Sequence, residues 1–157
     1  MNNKRTSDLL NKDHIKFLIS IFENNNAEIR LVGGCIRDIF LNKVSKDIDT
    51  ATDIKPNEII EILNKNKIEY DDFAIQYGSI ISYPLEHKVQ ITTLREDVNQ
   101  MGRHTNVIYT KDWQKDAARR DFTFNAMYLG SDNKLFDYFN GQEDIKEKKI
   151  RFIGEID

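Results

Sequence analysis

The hydrophobic period of this chain changes partway along, and that change restricts its fold more than any other feature. Up to about residue 65, apolar side chains recur mainly at three- and four-residue spacing, the period of an amphipathic helix. In "IISYPLEHKVQITTL", residues 80–94, the period is two: Ile81, Val89 and Ile91 alternate with polar neighbours, as in a hairpin that turns near residues 84–88. A chain that carries both periods without regular strand–helix–strand alternation is expected to be α+β. The spacing predicts a helix over 7–23, with Leu10, His14, Phe17, Leu18, Ile21 and Phe22 on one face and Ser7 as its cap. "IRLVGG" reads as a short strand ending in glycines, "CIRDIFL" as a helix starting there, and "DIDTAT" as a second strand. "KPNEIIEILNKN" is a helix with Pro56 in its first turn. Residues 95–112 are polar and are expected to form a loop. "WQKDAARRDFTFNAMYL" begins as a helix and finishes as a strand, and "GQEDIKEK" is a short helix.

Composition narrows the class. At 157 residues, with 39% hydrophobic and 31% charged content, the chain is long enough for one domain with a real core. Its net charge of −3 carries no global basic field, so any nucleic-acid contact must come from a local patch. The single cysteine, Cys35, excludes an internal disulfide and fits a reducing compartment. No apolar run approaches a membrane span or resembles a signal peptide, so a cytoplasmic protein with no membrane partner is expected.

Two dense stretches carry the chemistry. In "LVGGCIRDIFLNKVSKDIDT", Asp47 and Asp49 lie two residues apart on a predicted strand, so their side chains share one face while Ile48 points into packing. Two such carboxylates, about 7 Å apart along the backbone, suit a divalent cation such as Mg²⁺, which keeps phosphates and waters as its other ligands. A solvated strand end is the alternative for this pair taken alone. A calcium loop counted from Asp47 fails, because Ala51 lacks a ligand oxygen and Thr52 stands where glycine is needed. Gly33 and Gly34, between strand and helix, allow a phosphate close to the backbone, and Arg37 one turn on adds a charge-assisted bond. The competing reading is a tight turn with Arg37 and Asp38 exposed. In "DAARRDFTFNAMYLG", Asp121 and Asn125 fall on one face if the segment is helical, suited to a ribose or base edge. Lys115, Arg119 and Arg120 form a local basic patch. A charged helix start before an apolar segment is the alternative. Trp113 reads as a packing anchor, His14 as a core-edge residue and His87 as solvated.

Together the stretches resemble the head domain of the class II tRNA nucleotidyltransferase and bacterial poly(A) polymerase family. "LVGGCIRDIFLNKVSKDIDTATD" is similar to that family's first motif, "RRDFTFNAMYL" to its second, "ITTLREDVNQMGRHTNVIYTKDW" to the segment between them, and "IRFIGEID" to the entry into its neck. The resemblance covers roughly residues 28–157 and implies a palm-type nucleotidyltransferase head, a small mixed sheet flanked by helices. It divides the chain into an N-terminal helix (1–27), the head (28–148) and the truncated start of a neck segment (149–157). It further implies that Asp47 and Asp49 are catalytic and hold two Mg²⁺ ions. Gly33, Gly34, Arg37, Asp38, Arg120, Asp121 and Asn125 would bind the nucleotide, ATP or CTP, and Arg103 and Arg119 are candidate contacts for a tRNA or RNA 3′ end. The implied activity is addition of CMP or AMP to such ends, with a separate neck and body chain or a homo-oligomer as further partners. Two departures stand out. Many relatives carry a glutamate where this chain has Gln90, with Glu86 and Asp97 nearby in sequence, and the neck's nucleotide-selecting motif is absent. A degenerate head that binds nucleotide or a partner without turnover is therefore the alternative, and a free-standing nucleotidyltransferase of other substrates is a third reading. Without a neck, "IRFI" is expected to expose apolar surface.

Overall fold

The computed structural model describes residues 2–96 and 107–154. Helices α1 (Asn2–Leu10) and α2 (Asp13–Glu23) precede strand β1 (Ile29–Val32), helix α3 (Gly34–Phe40), strand β2 (Ile48–Thr52) and helix α4 (Pro56–Lys65). Strands β3 (Tyr70–Asp71), β4 (Ser79–Ser82), β5 (Val89–Thr93), β6 (Arg95–Glu96) and β7 (Ile108–Tyr109) follow. Helix α5 (Trp113–Ala118), strands β8 (Met127–Leu129) and β9 (Leu135–Asp137) and helix α6 (Gly141–Lys146) complete the order. Seven strands form one mixed sheet, β3-β4-β5-β2-β1-β8-β9, in which β2 and β5 run parallel and the other neighbours antiparallel. The expected α+β arrangement of a mixed sheet flanked by helices is what the chain forms, and the hairpin of β4 and β5 turns at Pro84–Glu86. Strands β6 and β7 pair separately.

The two-residue period sorts β1 between two cores. Ile29 and Leu31 join the larger one, with Ile15, Leu18, Phe22, Ile36, Ile59, Leu63 and Ile91. Val32 faces the smaller one, with Ala51, Leu94, Trp113, Ala117 and Tyr128. Both faces of β1 are covered, so all four of its residues are buried. Arg30 is among them: its guanidinium lies 3.9 Å from the Trp113 ring centre and 3.6 Å from that of Phe136, and it pairs with Glu28 at 2.6 Å. Trp113 is the packing anchor that its sequence context suggests.

The helix expected over 7–23 is two helices. Lys12 adopts an extended conformation ahead of α2, and the break lets Leu9 and Leu10 reach the same core as Ile15 and Leu18 along two axes. Ser7 is not a cap; it lies inside α1, where its hydroxyl accepts from Asn11 Nδ2 at 3.4 Å. His14 stacks on the exposed His87 ring, with centres 4.0 Å apart. Among the described residues no helix is long and apolar enough to cross a membrane. Ile150 and Phe152 are exposed, as expected for that segment, although Phe152 also bridges to Phe122.

Candidate active site

The turn between β1 and α3 is built around Gly33, whose φ of 80° and ψ of −133° lie in a region that side chains resist. Gly34 leaves room for Arg37 to fold back over the turn: a Cβ there would stand 3.3 Å from Arg37 Nη2. Arg37 donates to Asp38 Oδ1 at 3.1 Å and to Asn125 Oδ1 at 3.2 Å. The two dense stretches of sequence, 88 residues apart at this bond, therefore meet directly.

They enclose an open pocket of about 470 Å³ lined by Gly33, Gly34, Arg37, Asp49, Arg119, Arg120, Asp121 and Asn125. All eight are residues singled out in the sequence. Asp38 is drawn instead into its ion pair with Arg37. Asp47 is exposed, just ahead of β2 and outside the lining. Arg103, with Asp97 and His104, lies outside the described residues. Lys115 turns away to pair with Glu96 at 3.4 Å, so the basic patch of the pocket is Arg37, Arg119 and Arg120. Asp121 and Asn125 do not share a helix: α5 ends at Ala118, Phe122 is extended, and Thr123–Asn125 is a single 3₁₀ turn. The turn still brings Asn125 Nδ2 to 3.5 Å from Asp121 Oδ1.

Electrostatics distinguish the two carboxylates of the first stretch. Crowding by protein around the Asp49 carboxyl raises its pKa, and Asp47 raises it further, while Arg120 and Lys88 oppose the shift. Asp49 in the pocket lining and Asp47 two residues ahead of it offer hard oxygen donors, the chemistry that suits a divalent cation. No cluster of three or more His, Cys, Asp or Glu side chains placed to hold a metal occurs among the described residues. The parallel register places Gln90 opposite Asp49, with Ile48 and Val89 opposite each other on the buried face. Burial pushes the Cys35 thiol up to about 12, which keeps it protonated on the buried face of α3.

The residue that sequence reading missed is Asp116, wholly buried and bonded to Arg119 Nε at 3.0 Å and Arg120 Nη2 at 3.2 Å. Its spacing of three and four residues from the arginines is the signal that would have found it.

The chain matches the family model described as the poly A polymerase head domain over residues 29–151. It is 45% identical over 141 residues to the human protein named CCA tRNA nucleotidyltransferase 1, mitochondrial, covering 89% of this chain and 32% of that one. It is 32% identical over 142 residues to the CCA-adding enzyme of Oceanobacillus iheyensis, covering 89% and 34%. The crystal structure of the Bacillus stearothermophilus CCA-adding enzyme in complex with CTP superposes with a TM-score of 0.80 at 25% identity, over 92% of this chain and 34% of that one. The chain spans about a third of the length of the curated relatives it matches.

Proposed function

This chain belongs to the poly A polymerase head-domain family, and from that premise we propose that it is the catalytic head of a template-independent nucleotidyltransferase that adds CMP or AMP to the 3′ end of tRNA or another RNA. The observation that carries this reading is the single pocket in which both motifs converge, joined by the Arg37–Asn125 bond. In this reading Gly33 and Gly34 admit the triphosphate close to the backbone, and Arg37 with Arg120 binds its oxygens. Asp121 and Asn125 contact the ribose or a phosphate, and Arg119 reaches the RNA end. Asp47 and Asp49 hold Mg²⁺, two ions in our reading. Held there by Asp47 and Asp49, Mg²⁺ would supply Lewis-acid activation of the RNA 3′-hydroxyl and charge neutralisation at the triphosphate. The chain spans about a third of its relatives' length, and we assign nucleotide selection and the grip on RNA to neck and body elements outside these 157 residues. We assign the protein to the cytoplasm.

A specific observation favours a second reading. Gln90 stands beside Asp49 where an anionic ligand would strengthen metal binding, which suits a head that binds nucleotide without turning over. One experiment separates the two. The purified chain is incubated with Mg²⁺, labelled ATP or CTP, and tRNA lacking its terminal CCA, with and without a candidate neck–body polypeptide. Incorporation that disappears in Asp47→Ala is expected for the enzyme, and incorporation only with the second polypeptide for the divided form. Mg²⁺-dependent nucleotide binding without incorporation under either condition supports the non-catalytic head.

A further inference from the structure

We propose that Asp116 is a positioning residue for the anion-binding arginines of the pocket, an inference that rests on the reading of that pocket as a nucleotide site. Its side chain is fully buried, and each carboxylate oxygen accepts from two groups. Oδ1 accepts from Arg119 Nε at 3.0 Å and from the Arg95 backbone N–H at 3.1 Å. Oδ2 accepts from Arg120 Nη2 at 3.2 Å and from the Tyr128 hydroxyl at 2.5 Å. Tyr128 closes a ring, because its oxygen also accepts from Arg120 Nε at 3.2 Å. Tyr128 stands opposite Val32 in the β1–β8 ladder, one residue before Gly33. The ring therefore fastens α5 to β8, the neighbour of the strand that delivers the glycine turn.

The arrangement does more than hold the fold together. A buried ion pair by itself is weak support for stability, because desolvation offsets much of the attraction. What a carboxylate achieves here is direction. A guanidinium is a rigid fork, and Arg120 is gripped on its Nε and Nη2 side while the residue lines the pocket. Its side-chain freedom is lost in folding rather than at binding, which favours the ligand. Asp116 also lies between two adjacent arginines whose like charges would otherwise drive them apart. Its ionised form is secure: burial would raise its pKa, but Arg120 and Arg119 outweigh that effect and hold it below the ordinary aspartate range.

The test is calorimetric titration of the full chain with inorganic tripolyphosphate, CTP and CMP in Mg²⁺, for the wild type, Asp116→Asn and Tyr128→Phe, with thermal unfolding run in parallel. Asp116→Asn is expected to weaken tripolyphosphate and CTP by about tenfold, the low end of what losing a partner one layer behind an ion's ligands costs. CMP is expected to lose much less, so the CTP-to-CMP affinity ratio falls. A general loosening of the fold would lower both affinities and leave the ratio unchanged. If Asp116→Asn does not fold, Tyr128→Phe keeps the ring's packing and removes the hydroxyl shared by Asp116 and Arg120, and its ratio is expected to fall by a smaller factor. An unchanged ratio in the folded variant overturns the positioning role while leaving the nucleotide site standing. A wild type that binds neither tripolyphosphate nor CTP overturns both.

Discussion

At the scale of single residues, Gln90 carries the sharpest question about the site. The register of β2 and β5 sets its Cα opposite that of Asp49, and neighbouring strands lie about 4.8 Å apart, so their side chains leave the sheet on the same face. An amide there is neutral; a glutamate would be a third acid. Gln90→Glu is expected to tighten Mn²⁺ binding in the presence of CTP by about tenfold, since ligand charge count sets affinity for hard cations. Titration followed by the Mn²⁺ resonance signal measures this, and unchanged affinity would show that the side chain does not serve the Asp49 metal. Asp49 was legible on its strand because strand periodicity is local, whereas Asp47, expected on the same strand, falls just ahead of β2. That Gln90 faces Asp49 was not legible, because register between residues 41 positions apart depends on pairing rather than on pattern. Asp38 illustrates the converse: in sequence it belongs to the cradle, yet Arg37 beside it captures its carboxylate.

At the scale of elements, α6 does more for the site than its short sequence suggests. It docks against the 3₁₀ turn that ends in Asn125, and the contact is too close for any side chain at its first residue. A Cβ on Gly141 would meet the Thr123 carbonyl oxygen at 2.5 Å and Phe124 Cα at 2.9 Å, both backbone atoms that cannot swing aside. Thr123 also donates to Asp144 Oδ2 at 2.5 Å, closing the joint. Gly141→Ala is expected to destabilise the chain by about 1–3 kcal/mol, the usual range for overpacking, as measured by urea unfolding. Unaltered stability would show that α6 shifts freely on this turn. The helix itself was expected from "GQEDIKEK"; its docking partner was not. Strand β9 escaped sequence reading because three residues are too few to show a period. The break between α1 and α2 escaped for a different reason, since the apolar spacing continues through it and only the shape of the core divides it.

At the scale of the whole molecule, buried acids set the response to pH. Asp116 is held below the ordinary value by Arg120 and Arg119 against the effect of burial, and Asp144 by its bonds from Arg151 and Thr123. The unfolded chain, with aspartates near about 3.9, takes up these protons at higher pH than the folded one. Their stabilisation is therefore fully present above that value and is lost as pH falls through the depressed folded values. Trp113 fluorescence is expected to report cooperative unfolding below about pH 4, displaced to higher pH in Asp116→Asn, which starts from a weakened fold. A wild type that stays folded well below that range would contradict this assignment. The sequence by itself determined the fold class, most of the elements and the identity of the pocket residues, because helix and strand periods, glycine at a strained turn and paired carboxylates are local properties of the chain. Only the tertiary structure decided which of those residues share a cavity, that Asp38, Asp47 and Lys115 do not, and that Asp116 stands behind the arginines, because packing across a sheet brings together groups whose separation along the chain carries no such information.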